Sequence, residues 1–360
     1  MLTGRATDYA ALHARVRVLY GALLTPQEQA RLCEAADLPA LLVMLKETAY
    51  GPYLNSLDEK DAQPRRILSL IKKRTADTYL VLIHSAPASA RPLLTQVFRH
   101  FELDNLKAVL RGIAAGSGWE DIRGILFPLG PLTVIPAEEM VAAGTIEAAL
   151  ARMPHTPYSA SSARALKRYS EEQSLFPMEV ALDLDYWRAL WIDLHRLADR
   201  DRSEALRILG RWLDLNNLMW AMRYRIYHHL SEEEIINYTL PFGYRTRDDD
   251  IRAIAAGADI ARIVERLYPG DNQVEALLQE PERGLPKLEL QLQRLLRAHL
   301  TAAFTGYPFH IGLPLAVVLL LEMELQDLNV LVEAKASGVK TEDFIPYLLL
   351  KANSGKLPAA

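Results

Sequence analysis

One stretch of this chain occurs three times. Phe101–Gly112 (F-E-L-D-N-L-K-A-V-L-R-G) returns as Leu213–Tyr224 (L-D-L-N-N-L-M-W-A-M-R-Y) and again as Met323–Ala334 (M-E-L-Q-D-L-N-V-L-V-E-A). With Glu102, Asp214 and Glu324 taken as equivalent, the copies stand 112 and 110 residues apart. A period that constant means one structural unit used three times, which restricts the fold to an assembly of three like parts.

Each copy carries helical spacing. Leu103, Leu106 and Leu110 recur as Leu215, Leu218 and Met222, then as Leu325, Leu328 and Val332. Intervals of three and four residues put them on one stripe of a helix. Beside the stripe lies a polar pair three residues apart: Glu102 with Asn105, Asp214 with Asn217, Glu324 with Asp327. Core packing explains the stripe but not the pair, so these six residues are the candidate functional positions.

The flanks repeat as well. Thr25, Pro26 and Glu28 form a capping box with proline at the first helical position, opening a short helix over Gln27–Ala36. A second short helix follows over Ala40–Thr48 and stops at Tyr50-Gly51-Pro52. In the second copy a helix beginning near Pro136 stops at Gly144, Thr145 caps the next, and the segment closes on Pro157-Tyr158. The third copy runs Arg247–Ala256, breaks at Gly257 and continues to Tyr268-Pro269-Gly270.

Longer helices separate each head from its polar-pair helix: Pro64–Ser85 and Pro92–Phe101, Ser161–Leu175 and Asp185–Ala198, Leu285–Phe304 and Pro314–Leu331. The tails Leu126-Phe127-Pro128-Leu129-Gly130 and Thr239-Leu240-Pro241-Phe242-Gly243 match, whereas the third, Glu342–Leu350, lacks the Pro-X-Gly turn. No stretch alternates as a strand does. The expected fold is all-α, with units over 1–130, 131–243 and 244–360, the last ending in a flexible tail.

Composition narrows the function. With 360 residues, half of them hydrophobic, the chain can bury a large core. A formal charge of −4 argues against a general nucleic-acid binder. A single cysteine, Cys33, excludes an internal disulfide and fits a reducing compartment. The longest apolar run, Ile311–Leu321, falls short of the roughly 20 residues a spanning helix needs. With no apolar run at the start, a soluble cytosolic chain is expected.

Motifs for chemistry are weak. A phosphate-binding loop needs Gly-x4-Gly-Lys-Ser/Thr, but the nearest string, Asn353-Ser354-Gly355-Lys356, has Leu350 and Leu357 where glycine and hydroxyl belong. Gly116-Ser117-Gly118 reads as a helix stop. His228, His229 and Glu233 are the best metal candidates, yet Ser231 before three glutamates also makes a good helix start, and no third ligand is evident. Arginines across Arg196–Arg211 alternate with Asp199, Asp201 and Glu204, as on a solvated face. Cys33 and the aromatics Tyr186, Trp187, Trp191, Trp212 and Trp220 read mostly as core. No catalytic residue, cofactor or metal is expected.

Three polar-pair helices in register, the opening Y-A-A-L-H-A-R-V-R-V-L-Y-G-A-L-L-T and the Leu-Pro-Phe-Gly turn together resemble the C subunit of the prokaryotic V-type (A-type) ATPase, known in eukaryotes as the d subunit. The resemblance covers essentially the whole chain. It implies a funnel of three helical domains in approximate threefold array, seated on the cytoplasmic face of the membrane proteolipid ring. It also implies partners: the funnel receives the central stalk, made of the D and F subunits, and meets the membrane only through other subunits. Neither nucleotide nor nucleic acid is expected to bind directly. On this reading Glu102, Asn105, Asp214, Asn217, Glu324 and Asp327 lie on or just behind the wall of the hollow. The alternative is that each pair hydrogen-bonds a neighbouring helix within its own unit. Two other functions stay open: a helical scaffold for a different complex, and a metal enzyme built on His228, His229 and Glu233.

Overall fold

The computed structural model describes residues 2–258, 260–269 and 274–350. Gly270, the expected flexible tail and the string Asn353–Lys356 lie outside the described residues. Among the described residues the regular elements are helices, and no strand occurs.

Residues up to Gly130 form α1 (Leu2–Gly21), α2 (Pro26–Cys33), α3 (Leu38–Lys46), α4 (Gly51–Leu54), α5 (Pro64–Ser85), α6 (Arg91–Ala114) and α7 (Trp119–Arg123). Next come α8 (Ala137–Ala142), α9 (Ile146–Leu150), α10 (Ser159–Glu172), α11 (Phe176–His195), α12 (Asp199–Ile226) and α13 (Glu232–Asn237). The last are α14 (Asp248–Ala255), α15 (Ile260–Leu267), α16 (Val274–Leu278), α17 (Pro281–Ala302), α18 (Gly312–Ala336) and α19 (Thr341–Phe344). The polar pairs sit on α6, α12 and α18.

Local sequence explains most boundaries. Thr25 caps α2 through the expected box with Glu28, and Thr145 caps α9 by accepting from the Ala148 amide. One expected break is absent, and the helix expected from Asp185 starts earlier. The segment Pro92–Phe101 and the first polar-pair stretch form one continuous helix, α6, since nothing at Phe101 interrupts the ladder. Pro177 falls in the first turn of α11, where its missing N–H costs nothing, so it starts that helix. Inside α17, Pro286 leaves the carbonyl of Glu282 without its helical donor, and the Tyr227 hydroxyl donates to that oxygen at 2.8 Å.

The apolar run before Glu322 reflects position. Gly312–Leu321 of α18 is buried at every residue, because α1, α3, α5, α12 and α17 pack around the helix. Leu285, Leu288, Leu292, Leu296 and Leu300 give α17 one buried stripe; burying each leucine stabilises by about 1.5–3 kcal/mol. A second apolar cluster joins distant ends of the chain, packing Leu32, Leu41, Leu45, Tyr50 and Ile71 against Leu328, Leu331 and Val332 of α18. The N-terminal head therefore shares its core with the third polar-pair helix.

Candidate functional site

The polar pairs are buried or nearly so, and the two members of each pair do different things. Asn105 both donates to the Phe127 carbonyl (2.9 Å) and accepts from the Phe127 amide (2.7 Å). Asn217 repeats this with Leu240, at 2.9 and 2.8 Å. A carboxamide fits both ends of one peptide unit, so each asparagine pins the tail following its own helix.

Asp327 meets a different tail. Its carboxylate accepts from the amides of Leu349 (2.6 Å) and Leu350 (2.9 Å) and from the Gln29 side chain (2.8 Å). Three donors converge there, and an acceptor-only side chain stands where the other copies have asparagine. Burial pushes the carboxyl above its ordinary range, against the pull of the two amides.

The acids reach forward to the following head. Glu102, 1% exposed, accepts from the amides of Val134 and Ile135 and from the Tyr158 hydroxyl at 3.1 Å, with Arg99 3.5 Å away. Asp214 accepts from the amides of Tyr244 (2.8 Å) and Arg245 (2.7 Å). Burial raises its carboxyl, while those amides oppose the rise. Its charge, after burial, helps raise the Tyr268 phenol.

Glu324 closes the series on the beginning of the chain. It accepts from the Leu24 amide (2.5 Å) and the Tyr50 hydroxyl (2.6 Å), and pairs with Arg74 at 3.4 Å. Burial raises its carboxyl; the Tyr50 hydroxyl and Arg74 hold it down. The aromatic stops Tyr50 and Tyr158 thus each donate to the acid of another copy.

Glycine serves one tail position for two reasons. Three residues past the pinned peptide, Gly130 has φ +58°, a left-handed turn. At the matching Gly243, an added Cβ would lie 2.4 Å from the Thr246 carbonyl oxygen and 2.6 Å from an Asp214 carboxylate oxygen. There the need is close approach.

Between the three polar-pair helices lies a cavity of about 480 Å³. It is lined by Asp104 and Asn105 of α6, Trp212 and Asn216 of α12, and Glu322 and Gln326 of α18. Of the six candidate residues, Asn105 borders this cavity, while Glu324 and Asp327 border another of about 430 Å³ beside Leu24 and Gln29.

Two triplets escape the sequence reading. Asp104, Asn216 and Gln326 occupy one repeat position, inside each pair, and all three line the cavity of about 480 Å³. His100, Trp212 and Glu322 stand two residues before each acid, and His100 meets the other two. The rings of His100 and Trp212 are 5.8 Å apart, and His100 Nε2 is 3.5 Å from Glu322 Oε2. Shared polarity is the signal that could have found the first triplet. The second has none, because histidine, tryptophan and glutamate share no chemistry.

The other sequence candidates have local partners. Ser231 and Glu234 form a capping box that starts α13, and His228 stacks on Phe176 at 4.8 Å. Among the described residues no group of three potential metal ligands comes together. Arg196, Arg202 and Arg207 pair with Asp193, Asp199 and Glu204. Cys33 is buried, and burial raises its thiol. No described helix is long and apolar enough to cross a membrane.

Comparison with known proteins supplies the family. The family model for the ATP synthase (C/AC39) subunit matches residues 12–345. The C subunit of an A-type ATP synthase from Methanocaldococcus jannaschii is 23% identical over 347 residues, covering 95% of this chain and 86% of that protein. Its counterpart from Haloquadratum walsbyi is 24% identical over 348 residues, covering 95% of this chain and 98% of its own. The chain belongs to the ATP synthase (C/AC39) subunit family and is a non-catalytic subunit.

Proposed function

We propose that this subunit couples the central stalk, the D and F subunits, to the membrane proteolipid ring of an A-type rotary ATPase, from the cytoplasmic side. Units over 1–130, 131–243 and 244–360 stand in approximate threefold array around a central funnel. One observation carries the reading: Glu324 returns to Leu24 and Tyr50, as Glu102 and Asp214 reach the heads that follow them. A cyclic hand-over of this kind favours a closed collar over an open rod of repeats. The meeting of His100, Trp212 and Glu322 supports a shared axis.

A collar of this kind needs stiffness more than chemistry. Moving one proton against 100 mV takes about 2.3 kcal/mol. A step moving several protons loads each joint by an amount comparable to a nanomolar interface, about 12 kcal/mol. Buried polar pairs fixing tails and heads supply rigidity at each junction, which gives the six residues a supporting role, with Asn105 at the edge of the cavity itself.

The test is reconstitution. Purified protein should bind both the D–F stalk complex and detergent-solubilised proteolipid ring, and each should remain bound in the presence of the other. A protein that binds neither, or whose two partners exclude each other, refutes the coupling role.

A further inference from the structure

We propose that the central cavity receives a guanidinium group carried by the end of the stalk, held by the carboxylates of Asp104 and Glu322 against the Trp212 ring. This rests on the stalk-docking reading above, and it specifies the chemistry of what enters.

The lining is rich in acceptors. The Asp104 side chain is 66% exposed and lies 3.5 Å from Lys107. Glu322 receives the Tyr79 hydroxyl on one oxygen and faces His100 with the other. Asn216 commits its NH2 group to the Trp212 carbonyl at 2.8 Å, which leaves its amide oxygen for the cavity. Lys72 also borders the space, but its ammonium donates to the Ile125 carbonyl at 3.0 Å.

An anionic occupant would face two carboxylates. An apolar one would strip water from them without replacing its hydrogen bonds, which disfavours the charged carboxylates. A cation satisfies both. Guanidinium fits better than ammonium because its planar fork offers five donors to oxygens on separate helices and stacks on an indole face. Burial already raises the Glu322 carboxyl, so a nearby positive charge relieves a cost that the free protein carries.

The experiment is calorimetric titration of the full chain with purified D–F stalk complex at two salt concentrations. Asp104→Asn and Glu322→Gln should each weaken binding roughly tenfold and flatten its salt dependence. Asp104→Lys should weaken it further. Circular dichroism checks folding; should Glu322→Gln unfold, the exposed Asp104 variants decide alone. Wild-type affinity in Asp104→Asn and Asp104→Lys, or tighter binding by either, overturns the proposal and leaves stalk docking intact. Failure of the wild-type protein to bind D–F overturns both.

Discussion

Replacing Asp327 with asparagine would bring the third polar pair to the pattern of the first two, and the structure predicts that stability falls. Leu349 donates to one carboxylate oxygen at 2.6 Å, while Leu350 and Gln29 donate to the other at 2.9 and 2.8 Å. An asparagine keeps one oxygen. In either orientation its NH2 group faces at least one N–H donor. The loss is a charge-assisted hydrogen bond, about 1.5–3 kcal/mol, plus the cost of a stranded buried amide. Removing a charge that burial disfavours returns part of this, leaving a net loss of about 2 kcal/mol. The reverse change, Asn217→Asp, sets a carboxylate oxygen against the Leu240 carbonyl, whose present separation from the amide nitrogen is 2.9 Å, and should cost at least as much. Urea unfolding followed by circular dichroism reads both as lower midpoints with unchanged slopes. An Asp327→Asn variant as stable as the wild type would refute the reasoning, since repeat consensus rather than local donor count would then govern the position.

Further outcomes follow from the same geometry. Gly243→Ala should cost more than about 2 kcal/mol by prying the tail from Asp214, whereas Gly130→Ala should cost only the left-handed penalty of about 1–2 kcal/mol; equal urea midpoints would contradict the distinction. Tyr227→Phe should cost about 1 kcal/mol by leaving the Glu282 carbonyl to solvent, and an unchanged midpoint would show that water serves it equally well. Burial raises the carboxyls of Asp214, Glu322, Glu324 and Asp327, so folding takes up protons between the ordinary range near about 4 and the raised values. Their contribution is full below that range and is lost as pH rises through the raised values. Glu322→Gln should therefore make the decline in stability from weakly acidic to neutral pH shallower; an identical slope would show that Glu322 titrates normally.

The helical class, the recurrence of one stretch in triplicate and the six polar positions can all be read from the order of residues, because periodicity, caps and a repeat of about 110 residues are local or self-referential signals. Thr25 with Glu28, Thr145 and Ser231 begin their helices through bonds spanning three residues, and such bonds are legible without a fold. Where the polar pairs point is not written locally. Glu324 meets Leu24 and Tyr50 across 300 and 274 residues, and no spacing rule reaches that far. The same holds for His100, Trp212 and Glu322, whose unlike side chains meet because three helices converge, and for the gap between those helices that Asp104, Asn216 and Gln326 line. Convergence is a property of packing, and packing depends on the whole chain at once.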